Sequence, residues 1–205
     1  IIRNCQLQGG LAIACGDAGI GKTQACRQYY REHGTNCIYI TVNPCIKSSK
    51  SVLELIGSKL NVSSGSVSRL WLEISSKLSD GMVIIVDEAQ HLTRNAIDTL
   101  RSLCDCFDEK GQTLGICFVG NETTVSRLGG KQKAEFAQIR NRTKNTRFYS
   151  VKQIKKSDIE MLFPDIREDT AAVEFLLCIA QSPQAIRGAV NLYSNALDNL
   201  SLIHI

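Results

Sequence analysis

An open parallel α/β sheet flanked by helices, with a small helical subdomain following it, is the fold class the sequence predicts, and three observations carry that prediction. First, short apolar stretches of strand length alternate with helical stretches through residue 151, after which the pattern turns all helical. Second, residues 82–86, Met-Val-Ile-Ile-Val, are five apolar residues in a row. At that length they read as a strand buried on both faces, as in a parallel sheet covered by helices. Third, Gly16-Asp17-Ala18-Gly19-Ile20-Gly21-Lys22-Thr23 satisfies the phosphate-loop pattern G-x-x-x-x-G-K-[ST] at every fixed position.

Taken in order, residues 11–15 read as a short buried strand and 23–32 as a helix, so the loop turns from a strand end into a helix N-terminus. Residues 37–42 form a β-branched run that stops at Asn43-Pro44. Two helical stripes follow, one through Val52, Leu53, Leu55, Ile56 and Leu60, the other through Val67, Leu70, Trp71, Ile74 and Leu78, with a Ser/Gly turn between them. Trp71 falls on the apolar face of its helix and is expected in the core. After the strand at 82–86 comes an amphipathic helix at 95–107, then a fourth strand at 116–119 and a fifth at 147–151. A break at Pro164 and a last helix over 183–200 complete the pattern. The expected division is a nucleotide-binding α/β domain over 1–151 and a helical lid subdomain over 152–205, with truncation expected at both ends because Ile1 is not a methionine and the last helix runs to the end.

With 205 residues the chain can bury a full core, and its 43% hydrophobic and 21% charged content is that of a soluble globular protein. Nine cysteines raise the question of zinc or disulfides, but no C-x₂-C pair occurs. Free buried thiols in a reducing cytoplasm are therefore expected. No apolar run approaches the ~18 residues of a membrane span, so no membrane association is expected. The formal net charge of +4 is concentrated: ten Lys/Arg lie between Arg127 and Lys156 against one acid, Glu135. A stripe of that sign usually meets phosphate, of a nucleotide or a nucleic acid.

The loop motif defines its own chemistry. Backbone N–H groups can wrap a β-phosphate with the helix dipole behind them, the Lys22 ammonium can reach the β and γ oxygens, and the Thr23 hydroxyl can ligate Mg²⁺. Asp87 and Glu88 close the all-apolar strand 65 positions after Lys22. There Asp87 would hold Mg²⁺ through a water, and Glu88 would orient and deprotonate the attacking water. A glutamate directly after the aspartate marks the additional-strand (ASCE) P-loop NTPases. Asn121, ending the next strand, can fix that water, while Arg140 or Arg142 offers a guanidinium to the γ-phosphate, with the choice between them open. Arg187, near the start of the last helix, can reach bound nucleotide from the helical subdomain.

Together these motifs resemble an AAA+ ATPase. Asp87-Glu88-Ala89-Gln90-His91-Leu92 and Phe118-Val119-Gly120-Asn121-Glu122 look more narrowly like the transposition ATPases typified by the phage Mu B, TnsC and TniB proteins. The resemblance implies an AAA+ sheet of five parallel strands. It also makes Lys22 and Thr23 the Walker A residues, Asp87 and Glu88 the Walker B pair, Asn121 sensor 1, Arg187 sensor 2, and Arg140 or Arg142 a finger acting on a neighbouring subunit. It implies ATP and Mg²⁺ as cofactors, a ring or helical filament with intersubunit ATP sites, sequence-independent binding of double-stranded DNA, and a transposase as partner in the cytoplasm. Lys47 and Lys50 are the expected DNA contacts, with the basic segment from Lys131 to Lys144 as competitor. An ExeA-like secretion or envelope ATPase and a nucleotide-gated signalling switch are the alternatives. A small-molecule kinase ranks last, since Glu88 and Asn121 suit the activation of water.

Overall fold

The computed structural model describes residues 1–124 and 143–203, with side chains described as far as residue 199. It divides into two compact units, one of Ile1–Cys15 with Lys22–Phe148, the other of Gly16–Gly21 with Tyr149–Ile205. The first unit holds helix α1 (Ile2–Gln8), strand β1 (Gly10–Gly16), α2 (Lys22–Glu32), β2 (Cys37–Thr41), α3 (Ser49–Lys59), α4 (Val67–Lys77), β3 (Met82–Asp87), α5 (Arg94–Asp108), β4 (Leu114–Gly120) and β5 (Thr143–Tyr149). The second holds α6 (Lys156–Leu162), α7 (Thr170–Gln181) and α8 (Ala185–Ile203).

The sheet has five strands in the order β2-β3-β4-β1-β5, so β4 is interposed between β1 and β3. That extra strand is the structural signature expected from a glutamate following the strand-end aspartate. The pairings β2 with β3, β3 with β4, and β4 with β1 are parallel. Their registers set Thr41 opposite Asp87 and Cys15 opposite Gly120, which aligns the carboxyl ends of these strands along one edge. In open α/β sheets that edge is where ligands bind.

Every residue of β3 and β4 is buried, which is why their sequences are apolar without alternation. Leu53, Ile56, Leu70, Ile74, Ile97, Leu100 and Phe107 cover them from α3, α4 and α5. These helices begin where side-chain oxygens take up free N–H groups: Ser48 accepts from Ser51 N, Ser66 from Arg69 N and Thr93 from Ala96 N, each at 3.3 Å. Trp71 is only partly buried against this core and its indole N–H donates to the Ser102 hydroxyl at 2.9 Å.

Three further features differ from the sequence expectation. Helix α1 was not predicted; it lies so close to β4 that a Cβ on Gly115 would fall 2.4 Å from the Cys5 carbonyl oxygen. The fifth strand runs over Thr143–Tyr149 rather than 147–151, and Val151–Gln153 is instead a 3₁₀ turn closed by a Ser150/Gln153 capping box. The strand is largely exposed, so no apolar alternation marks its bounds. All nine cysteines are free, but Cys45 and Cys178 are exposed rather than buried. Burial pushes the Cys5, Cys26 and Cys37 thiols up to about 12, so they remain protonated and unreactive at neutral pH.

In the second unit, Ile154, Ile159, Phe163, Val173, Leu176, Ala180 and Ala189 form a separate core. Helix α6 ends before Pro164, which opens a 3₁₀ turn, and Asp169 caps α7 by accepting from Ala172 N at 3.0 Å. The last helix starts at Ala185, two residues after Pro183, and Ala185 itself has a left-handed backbone, φ 56°. No helix among the described residues is long and apolar enough to cross a membrane.

Candidate nucleotide site

The loop between β1 and α2 is anchored by its own backbone. Asp17 N donates to the Tyr149 carbonyl at 3.0 Å, and the Asp17 carboxylate accepts from Val151 N at 2.8 Å. Gly16 approaches Tyr149 so closely that a Cβ would lie 2.1 Å from the Tyr149 carbonyl oxygen. At Gly19 φ is +77°, a conformation side chains resist, and a Cβ there would come within 3.3 Å of Arg187 Cβ. Arg187 N donates to the Gly19 carbonyl at 3.1 Å. Ile20 packs on the core of the second unit. The structure therefore brings the exposed Arg187 side by side with the loop.

Lys22 and Thr23 open α2 in the first unit. The Thr23 hydroxyl donates to Asp87 Oδ2 at 2.8 Å. Asp87 is 2% exposed, yet its carboxylate is fully engaged. Besides Thr23, the Tyr39 hydroxyl donates to Oδ2 at 2.9 Å and Glu88 N to Oδ1 at 3.0 Å. Three donors explain how a carboxylate survives at the end of a buried strand. Burial pushes the Tyr39 phenol's pKa up, which keeps it a donor, and Thr41 hydrogen bonds to the Tyr39 oxygen at 3.1 Å. Sequence reasoning missed Tyr39; its only signal is that β2 pairs with β3 in a register that sets Thr41 beside Asp87. Tyr39→Phe is expected to lower the unfolding free energy by roughly 1.5–3 kcal/mol, the worth of a hydrogen bond to a charged group. Urea unfolding measures this, and an unchanged midpoint would remove Tyr39 from the site's support.

Glu88 follows Asp87 in the left-handed region, φ 58° and ψ 33°, and caps the 3₁₀ turn Ala89–His91. That backbone turns the side chain off the strand direction at the sheet edge. Its carboxylate accepts from the Gln90 side-chain amide. Asn121 stands at the end of β4, exposed, its carboxamide oxygen accepting from Thr123 N at 3.0 Å. Glu88, Gln90 and Asn121 thus meet where the neighbouring strands β3 and β4 end, and Gln90 is the second participant to which the motifs assigned no role.

Lys47 and Lys50 are both exposed at the start of α3. The Lys47 carbonyl accepts from Thr93 N and from the Thr93 hydroxyl, at 3.0 and 3.1 Å, tying this loop to α5. Lys50 lies 3.9 Å from Glu54 in an exposed i,i+4 pair of little energetic weight. The expected arginine pair, Arg140 and Arg142, lies outside the described residues, as does most of the basic segment.

The donor set fits a small hard cation. A threonine hydroxyl and a carboxylate 2.8 Å apart at a phosphate loop are oxygen ligands of the kind Mg²⁺ takes together with nucleotide oxygens and water. Fold and site together define a P-loop ATPase-type nucleotide-binding module. Residues 6–128 match the AAA domain family model, and the chain belongs to that family. It is 30% identical over 194 residues to the ATP-dependent target DNA activator B of Escherichia phage Mu, covering 91% of this chain and 59% of that protein. It is 29% identical over 203 residues to the Mu-like prophage FluMu DNA transposition protein B of Haemophilus influenzae, covering 94% of this chain and 65% of that one. The chain thus spans about 60% of the length of these relatives. Among solved structures, the Aeropyrum pernix ORC2 protein superposes with a TM-score of 0.65 at 14% identity, over 99% of this chain and 61% of that one. The Thermotoga maritima RuvB Holliday junction branch migration motor superposes at 0.58 and 20% identity, over 99% and 60%. At those identities the likeness is one of fold.

Proposed function

We propose that this chain binds ATP with Mg²⁺ and hydrolyses it, and that in doing so it assembles with copies of itself on double-stranded DNA and regulates a transposase in the cytoplasm. The observation that carries the first half is the Thr23 hydroxyl seated on Asp87, which joins the phosphate-loop and strand-end motifs in one place. Loop N–H groups and Lys22 would hold the β and γ phosphates. Thr23, and Asp87 through a water, would hold Mg²⁺, whose charge would offset that of the phosphates. Glu88 would accept a proton from a water as its oxygen attacks the γ-phosphorus, the bond to the β–γ bridging oxygen breaks and ADP leaves. Arg187 beside Gly19 would report the occupied loop, and Arg140 or Arg142 would complete a neighbour's site.

The second half is supported by the likeness to relatives named for target DNA activation and DNA transposition. Lys47 and Lys50 would meet DNA backbone without reading bases, which makes assembly sensitive to salt. ATP turnover and sedimentation with and without nonspecific duplex DNA test this. Assembly is expected with ATP and DNA at low salt and its loss at high salt. Neither assembly nor altered turnover on adding DNA would remove the transposition half of the proposal.

A further inference from the structure

The side chain of Gln90 makes contacts that the turn it sits in does not need. That turn is already closed by backbone bonds, His91 N to Glu88 O at 3.0 Å and Leu92 N to Ala89 O at 3.1 Å, with Ala89 and Leu92 buried as anchors. The Gln90 carboxamide instead reaches in two directions. Its nitrogen donates to Glu88 Oε2, and its oxygen accepts from Asn121 N and from the Thr124 hydroxyl, each at 3.4 Å. Thr124 is fully buried, and among the described residues its hydroxyl donates to this oxygen. Gly120 supplies an independent sign that the place is built for the amide. A Cβ there would fall 2.3 Å from Gln90 Oε1 and 2.2 Å from Thr124 Oγ1, closer than atoms can come. The two short runs 87–92 and 118–122, far apart in sequence, thus meet through one side chain filling the space a glycine leaves.

We propose that Gln90 is a positioning residue for hydrolysis: it fixes the direction of the Glu88 carboxylate from the end of β4, holding Oε2 and leaving Oε1 to meet the water. A glutamate on a left-handed backbone has three side-chain torsions to settle, and one fixed donor removes most of that freedom. Because the same amide accepts from Asn121 N, a displacement of the β4 end carries the carboxylate with it. The inference rests on the ATPase reading above.

Gln90→Leu keeps the bulk and removes all three hydrogen bonds; Gln90→Glu keeps the length and puts a second carboxylate against Glu88. Both are expected to lower kcat roughly 10- to 100-fold, with KM for ATP as in the wild type; Gln90→Leu, which leaves the buried Thr124 hydroxyl without this acceptor, also lowers the urea midpoint. A kcat within twofold of wild type, a kcat that rises, or kcat and KM changing together would overturn the proposal. A readout free of turnover separates it from the ATPase reading. In ¹H–¹⁵N spectra the Gln90 side-chain amide, assigned by its loss in Gln90→Leu, is expected to shift in Glu88→Ala and in Thr124→Val. An unmoved resonance overturns the positioning role whatever the turnover, whereas a wild-type chain that binds ATP without hydrolysing it, yet shows the shift, overturns only the ATPase reading.

Discussion

Glu88→Gln is expected to reduce ATP turnover by roughly 10²- to 10⁴-fold, the contribution of a positioned general base, while ATP remains bound. The substitution removes the oxygen that takes the proton and changes little else. Length and bulk are preserved, and the left-handed backbone and the 3₁₀ turn after it are closed by main-chain bonds. The carboxylate's role is separate from that of Asp87, which is buried and committed to Thr23, Tyr39 and its own chain. Phosphate release reads the first effect and equilibrium binding of a fluorescent ATP analogue the second. If assembly on DNA depends on bound ATP, the variant also stays assembled, visible as a sedimenting complex that does not decay.

Lys22→Ala is expected to weaken ATP binding by roughly 10- to 100-fold, the worth of one charge-assisted hydrogen bond converted at 1.4 kcal/mol per tenfold. Lys22 is the first residue of α2, directly after the phosphate loop. The loop has other ties, since Asp17, Gly19 and Ile20 are bound to Tyr149, Val151, Arg187 and the second core. The expected signature is therefore a fold that melts as the wild type does without nucleotide, but loses the upward shift that ATP produces by mass action. A variant that unfolds on its own would mean the lysine holds the loop rather than the ligand.

The sheet and the main site residues were legible because each rests on a strong local signal. Residues of β3 must be apolar on both faces, which leaves an unbroken run, and the carboxylates that end it stand out against that run. The phosphate loop is legible for the same reason, four fixed residues in eight. What escaped depends on contacts distant in sequence. Tyr39 reaches Asp87 across 48 positions through strand register, and Gln90 meets Asn121 across 31 through a turn packed against β4. Helix α1 has seven residues and one buried side chain, Cys5, too short for a periodicity to register; it is held by Gln6, whose amide donates to the Gly81 carbonyl at 2.9 Å. The displaced bounds of β5 have the opposite cause: an edge strand that buries little carries little pattern. The place of Arg187 was legible as a helix start, but its contact with Gly19 was not, because it depends on how the loop folds onto the second unit's own helices.

One titration decides whether Lys22 and Glu88 serve a single ATP site in the separate roles of binding and hydrolysis. Wild type, Lys22→Ala and Glu88→Gln are given Mg²⁺ and ATP, and bound nucleotide and released phosphate are read together. Binding and release are expected of the wild type, binding without release of Glu88→Gln, and binding weakened roughly 10- to 100-fold, with release falling in step at subsaturating ATP, of Lys22→Ala. Wild-type phosphate release from Glu88→Gln, or undiminished ATP binding by Lys22→Ala, would contradict this division of roles.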